Sequence, residues 1–324
     1  MFSAAVRIIP LLALALASGA WAQTYPTKPV TMIVPFAAGG PTDTVARTIG
    51  IAMQNALKQT VVVENVGGAG GTLGVARVAR ATPDGYTILI YHIGMATSPA
   101  LYRKLPFDPL KDFEYIGLVN EVPMTFIGRS TLQARNFKEL LAWIKANGNK
   151  VNYGNAGLGA ASHLCGLLFM SAIQVDMTTI SYKGTAPAMN DLLGGQIDVM
   201  CDQTTNTTSQ IKGGKVKAYA VTSAKRVPAL ANLPTLQEEG LKGFEVSIWH
   251  ALYAPKGTPK PVVDTLVKAN QDALKDATVK QRFADLGAEA VSTDKATPAY
   301  LQKFLAAEIA KWGPIIKKAG QYAD

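Results

Sequence analysis

The stretch Val30-Thr31-Met32-Ile33-Val34-Pro35-Phe36-Ala37-Ala38-Gly39-Gly40-Pro41-Thr42-Asp43 decides how this chain is read. It opens as an apolar, β-branched run, which predicts a buried strand, and passes through a glycine turn. Beyond the turn Val45, Ile49, Ala52, Met53, Ala56 and Leu57 recur every three or four residues. That spacing puts them on one helical stripe. The same order returns at once, with a strand over 61–63, the loop Gly67-Gly68-Ala69-Gly70-Gly71-Thr72, a helix over 73–81 and a third strand over 87–91. Continuous apolar strands alternating with helices predict an α/β fold on a parallel sheet covered on both faces.

The pattern restarts downstream. A strand over 113–119 leads through Val122-Pro123 into another over 124–128, followed by a helix over 137–146 with Leu140, Leu141 and Ile144 inward. A short strand over 151–153 and the loop Gly154-Asn155-Ala156-Gly157-Leu158-Gly159 open a helix over 160–172. Segments 178–181, 186–193, 197–200 and 216–222 complete a compact unit. After Arg226 a strand over 248–253 and helices over 261–275 and 298–318 return to the first sheet. The expected organisation is therefore a discontinuous domain 1 (23–122 with 225–324) and an inserted domain 2 (123–224). Two crossings between them imply a hinge.

The first residues read as a secretory leader. Arg7 precedes an apolar run over 8–17, and Ala20-Trp21-Ala22 supplies small residues for cleavage after Ala22. No cysteine stands at that point to carry a lipid. The formal charge of the whole chain is +9, with Lys and Arg scattered singly rather than in a block. Such a field suits anions more than nucleic acid, and no nucleic-acid partner is expected. Cys165 and Cys201 enter an oxidising compartment, where they are either a disulfide or two buried thiols.

Three glycine turns, at 38–42, 67–72 and 154–159, each lie between a strand and a helix. Glycine admits a ligand close to the backbone, and the following helix offers free N–H groups at the positive end of its dipole. A lone turn of this kind is only a tight connection; three in two domains point to an anion cradle. Thr42 and Asp43 look like helix caps, with capping the main task of Asp43 and ligand contact the favoured role of Thr42. Ser162 and Thr72, at helix starts, cap or donate to a bound oxygen. Lys183 is either a cation beside the ligand or a solvated lysine. His163 and Cys165 are two apart on a helix and do not face each other, which argues against a nucleophilic pair. No hydrolase elbow, Walker loop or zinc spacing occurs, and Gly68-Ala69-Gly70-Gly71-Thr72-Leu73-Gly74 misses the dinucleotide spacing by one residue. Neither a cofactor nor a metal is called for. An exported enzyme with a glycine-loop cofactor and a sensing subunit remain the rival readings.

Beyond these local readings, Tyr25-Pro26-Thr27-Lys28-Pro29-Val30, the Pro35 to Asp43 turn, Glu64-Asn65, Asp84-Gly85-Tyr86-Thr87, Tyr182-Lys183-Gly184, Leu193-Gly194-Gly195-Gln196-Ile197-Asp198 and Ala254-Pro255-Lys256-Gly257-Thr258-Pro259 together resemble the Bug family. These are extracytoplasmic solute receptors of tripartite tricarboxylate transporters. The resemblance implies a type II periplasmic-binding-protein fold, two α/β domains joined by a hinge, closing on a carboxylate. It implies no catalysis, a monomer, and membrane transporter subunits as partners. It carries ligand binding over to Phe36, Ala37, Gly39, Gly40, Thr42, Gly71 and Thr72 in the first domain. In the second it points to Asn155, Gly159, Ala161, Ser162, Lys183, Thr185, Ala186 and Asp202.

Overall fold

The computed structural model describes residues 25–319; the leader expected at 1–22 lies outside them. The chain runs β1 (Val30–Val34), α1 (Pro41–Leu57), β2 (Val61–Asn65), α2 (Thr72–Ala79), β3 (Thr87–His92), α3 (Gly94–Leu101) and β4 (Phe113–Arg129). It continues with α4 (Phe137–Asn147), β5 (Asn152–Asn155), α5 (Ala161–Ile173), β6 (Thr178–Ser181), α6 (Thr185–Leu193), β7 (Val199–Gln203), α7 (Thr204–Lys212) and β8 (Val216–Val221). The last elements are β9 (Ser247–Pro255), α8 (Lys260–Lys275), α9 (Ala277–Asp285), β10 (Glu289–Ala290) and α10 (Pro298–Ala319).

Two α/β lobes share one strand. The first half of β4 pairs with β9, from Phe113 opposite Pro255 to Pro123 opposite Ser247, and its second half pairs with β7 and β8. The expected break at Val122-Pro123 does not occur, because the proline sits at the last β9 pair and the strand runs on. Each lobe adds a parallel trio to this frame, β2-β1-β3 in one and β6-β5-β7 in the other. The all-parallel expectation thus holds only at the flanks: β9 returns antiparallel between β3 and β4. The other crossing is fastened to β4 as well. Thr222 donates its N–H to the Met124 carbonyl at 2.9 Å, and its hydroxyl accepts from Met124 N–H at 3.1 Å.

Packing follows the predicted stripes with one exception. Val45, Ile49, Ala52, Met53 and Leu57 of α1 are buried, whereas Ala56 is exposed. Helices α3, α7 and α9 were not foreseen. In α7 the run Thr204-Thr205-Asn206-Thr207-Thr208 is poor helix sequence, and burial of its four threonines against the lobe overrides propensity. Cys165 on α5 and Cys201 on β7 form a disulfide, with Cα atoms 6.2 Å apart, which resolves the two alternatives in favour of pairing.

Candidate functional site

The glycine turns of the two lobes meet face to face. Ala37 N–H donates to the Lys183 carbonyl across the gap at 3.0 Å, and Thr97 donates to the Gly159 carbonyl at 2.9 Å. The Tyr102 hydroxyl lies 2.6 Å from the Ala69 carbonyl and 2.8 Å from that of Leu158, so one proton is shared between an acceptor in each lobe. The approach is closest at Gly70: a Cβ there would lie 1.8 Å from the Leu158 oxygen. Gly40 is different. A Cβ there would meet nothing nearer than 3.6 Å, so crowding does not demand glycine at that position.

Enclosed between these contacts is a small cavity. The first lobe contributes Phe36, Pro41, Thr42 and His92, and the second Ala156, Ala161, Ser162, Thr185, Asp202 and Gln203. Its walls include the first residues of α1, α5 and α6 and Gln203, which precedes α7. Four helix N-termini therefore border the cavity with their positive dipole ends, although Pro41 has no N–H to offer and Gln203 N–H already goes to the Asp202 carboxyl. No Lys or Arg lines it. It holds about 10 Å³, the space of one water. A roomier groove of about 800 Å³ lies elsewhere, between residues 240–249 and α10, but no helix N-terminus opens into it.

The first-lobe wall is held by completed hydrogen bonds. Gly40, not Asp43, is the N-cap of α1, since Pro41 already has helical geometry. Asp43 stands in the first turn and reaches back to accept from Gly39 N–H at 3.0 Å, so its stabilising task is met from a different position. Arg47 at 2.9 Å and Asn65 at 3.0 Å complete its shell. Burial alone would raise this carboxyl; Arg47, Gly39 and Asn65 outweigh it and hold the carboxyl below its ordinary range.

Two histidines that sequence reasoning did not single out stand behind the same wall. The sheet register sets His92 of β3 opposite His250 of β9, and His250 opposite Asn120 of β4. His92 Nδ1 accepts from Gly94 N–H at 2.9 Å, so the ring proton sits on Nε2. Burial lowers His92 to about 3 and His250 well below its ordinary value, so both are neutral. His250 bridges Asn120 Oδ1 at 2.9 Å and the Thr42 hydroxyl at 3.2 Å. Because the Asn120 amide oxygen can only accept, the His250 proton sits on Nδ1 and Nε2 accepts from the Thr42 hydroxyl, which leaves Thr42 lone pairs rather than a proton for the cavity.

The second-lobe wall is unfinished by comparison. Ser162 Oγ accepts from Ala156 N–H at 2.8 Å, but Thr185 Oγ1, Asp202 Oδ1 and Gln203 Oε1 are buried without a hydrogen-bond partner. Burial raises the Asp202 carboxyl to about 6, opposed by the Asn206 amide, the Gln203 N–H and the nearby Thr185 hydroxyl. Other expected residues act one step back. Asn155 Oδ1 accepts from Gly157 N–H and the Ser181 hydroxyl, the Thr72 hydroxyl donates to the Ala69 carbonyl, and Gly71 packs on Tyr91. Ala186 faces Gly39, and the Lys183 side chain is exposed while its carbonyl makes the contact between lobes. His163 Nδ1 accepts from Gly159 N–H at 3.4 Å rather than activating a thiol. Among the described residues no cluster of three His, Cys, Asp or Glu could hold a metal.

Two α/β lobes that meet at a small cavity lined from both sides have the arrangement of a solute-binding receptor. The chain matches the tripartite tricarboxylate transporter family receptor (TctC) over residues 45–321. It belongs to that family, with the Bug proteins. A UPF0065 protein from the TAR-I ttuE-ttuC' intergenic region of Agrobacterium vitis is 52% identical over 92% of this chain and 86% of its own length. The structure of the periplasmic binding protein BugD is 57% identical with a TM-score of 0.91, covering 93% of this chain and 100% of that one. MatC of Rhodopseudomonas palustris, solved with malate, is 39% identical with a TM-score of 0.87 over 90% and 100%. A second protein of that organism, solved with adipate, is 32% identical with a TM-score of 0.87 over 91% and 98%. The family consists of periplasmic substrate-binding receptors, not enzymes.

Proposed function

We propose that this protein captures a small carboxylate between its lobes and delivers it to the membrane subunits of a tripartite tricarboxylate-type transporter. The observation that carries this reading is the convergence of four helix N-termini on a cavity that no Lys or Arg lines. Such a site favours a compact anion through aligned N–H groups rather than through an opposing charge. On this reading the lobes are residues 23–122 with 225–324 and the insert 123–224, hinged at β4 and Thr222. The mature chain begins at Gln23 in the periplasm and works as a monomer. The turn from Phe36 to Thr42 anchors one carboxylate while the starts of α5 and α6 and the end of β7 read the rest. Malate in MatC and adipate in its relative support the ligand class.

The test is thermal shift against a panel of small di- and tricarboxylates, followed by small-angle scattering. A cognate acid at 100 times its Kd adds about 2.7 kcal/mol to stability, and the radius of gyration falls as the lobes close. Stabilisation by none of the acids, or tight binding with unchanged scattering, overturns the clamp.

A further inference from the structure

The two walls of the cavity differ in the hydrogen-bonding partners they lack, and this narrows the ligand class proposed above. On the first-lobe side His92 has its Nδ1 occupied by Gly94 N–H, which leaves Nε2–H as the polar atom of that ring for the cavity. It stands beside the start of α1, whose first-turn N–H groups have no partner within the helix. On the second-lobe side Asp202 lines the cavity and is 1% exposed; its Oδ2 accepts from Asn206 at 2.6 Å, and its Oδ1 has no partner at hydrogen-bond geometry, with the Thr185 hydroxyl nearby likewise unpartnered. A buried carboxylate oxygen without a partner is costly and is retained where something else completes it. A second carboxylate placed there would set two anions together. A ligand group carrying N–H or O–H would satisfy the oxygen.

We propose that the ligand is a carboxylate bearing a hydrogen-bond donor, a hydroxyl or an ammonium, and that Asp202 is the residue that reads that donor. This rests on the carboxylate-receptor reading and extends it to specificity. The alternative use of Asp202 is as a protonated acid donating to a second carboxylate. The two differ in the sign of their pH dependence. Titratable groups packed around Asp202 are His92 of β3, His250 behind Thr42 and Tyr153 of β5. Burial keeps the imidazoles unprotonated and the phenol protonated between pH 5.5 and 7.5, so of these groups Asp202 is the one that titrates there.

The experiment is calorimetric titration of the full mature protein with matched acids that differ only in the donor: succinate, malate and aspartate; glutarate, 2-hydroxyglutarate and glutamate; tricarballylate and citrate. In the set that fits, the donor-bearing acid binds roughly ten- to a hundredfold more tightly than its parent, the effect of one hydrogen bond to a charged group. The hydroxyl and ammonium arms identify which donor is read. Asp202→Asn brings that ratio within about threefold while the parent acid still binds, which also shows that the variant folds. As the pH is lowered from 7.5 to 5.5, affinity for the preferred acid falls relative to its parent acid, and this relative fall is absent in Asp202→Asn. A parent acid that binds as tightly as its donor-bearing partners, an Asp202→Asn variant that keeps the preference, or a relative affinity that rises at low pH overturns the inference and leaves the carboxylate receptor standing. Binding by none of the acids overturns both.

Discussion

The two walls of the cavity are fixed by different means. The first, around Gly39 to Asp43, is held by a cluster of hydrogen bonds in which Asp43 holds the Gly39 amide and is itself held by Arg47 and Asn65. The second is tied covalently: the disulfide joins α5, whose start carries Ser162, to β7, whose end carries Asp202. Apart from Asn120 Nδ2 behind it, the first wall has its polar groups partnered, whereas the second keeps three oxygens without partners. A finished wall suits a feature shared by many ligands, while an unfinished one suits discrimination, because only a complementary ligand recovers its cost.

Breaking the covalent tie gives the largest expected effect. Replacing Cys165 and Cys201 by alanine releases a loop closed across 36 residues, a loss of about 4 kcal/mol by the chain-entropy estimate. Hydrogen exchange should show protection falling in β5 to β7 while β1 to β3 keep theirs. Next comes the cost of the unfinished wall. A carboxyl raised to about 6 in the folded state favours the protonated form, so its stabilisation is present at low pH and lost as pH rises through 6. Asp202→Asn should therefore raise the stability of the unliganded protein at pH 8 by roughly 1 to 3 kcal/mol, with the gain vanishing near pH 4. Equal melting temperatures of the two proteins at pH 8 would contradict this account of the second wall.

Contact between the walls is tested by a pair of glycines. Gly70→Ala sets a methyl against the Leu158 carbonyl of the other lobe, a clash that on the clamp reading belongs to the ligand-bound state, on top of a smaller left-handed backbone cost at φ +61 present in every state. An overpacking cost of about 1 to 3 kcal/mol confined to that state weakens binding by roughly 5- to 150-fold. Gly40→Ala, with no atom nearer than 3.6 Å to the new methyl, should leave the Kd within a factor of about three. The smallest effect belongs to the finished wall. Asp43→Asn should cost on the order of 1 kcal/mol at neutral pH. Because the Asp43 carboxyl lies below its ordinary value, that contribution is present at neutral pH and is lost as pH falls through its lowered folded value. Melting temperatures of the two proteins should converge in strong acid.

Much of this architecture was legible because it is written in local pattern. The β1 to α1 unit, the glycine turns and the α5 start follow from apolar runs and from where glycine interrupts them. Gly40 shows the limit of that reading: its place in the turn was visible, but the absence of crowding around it was not. His92 and His250 were missed for a different reason. Each lies in an apolar strand segment, Ile88 to Ile93 and Ile248 to Leu252, where a single histidine reads as core. Only the pairing of β3, β9 and β4, which are far apart in sequence, sets His92, His250 and Asn120 in one row. Lys183 shows the converse. The sequence marks its charge, whereas the structure puts its carbonyl at the contact.

The lack of a cation in the cavity walls separates arrival from retention. The chain carries a formal charge of +9, spread over its surface, and this diffuse field draws anions in from solution over distances that dissolved salt screens within about 8–10 Å. On the proposed reading, a carboxylate enclosed between the lobes is held by short contacts to N–H groups from which water and counterions are excluded. Raising the ionic strength therefore slows association and leaves the rate of escape almost untouched, so that in brine the receptor fills later but empties on the same schedule.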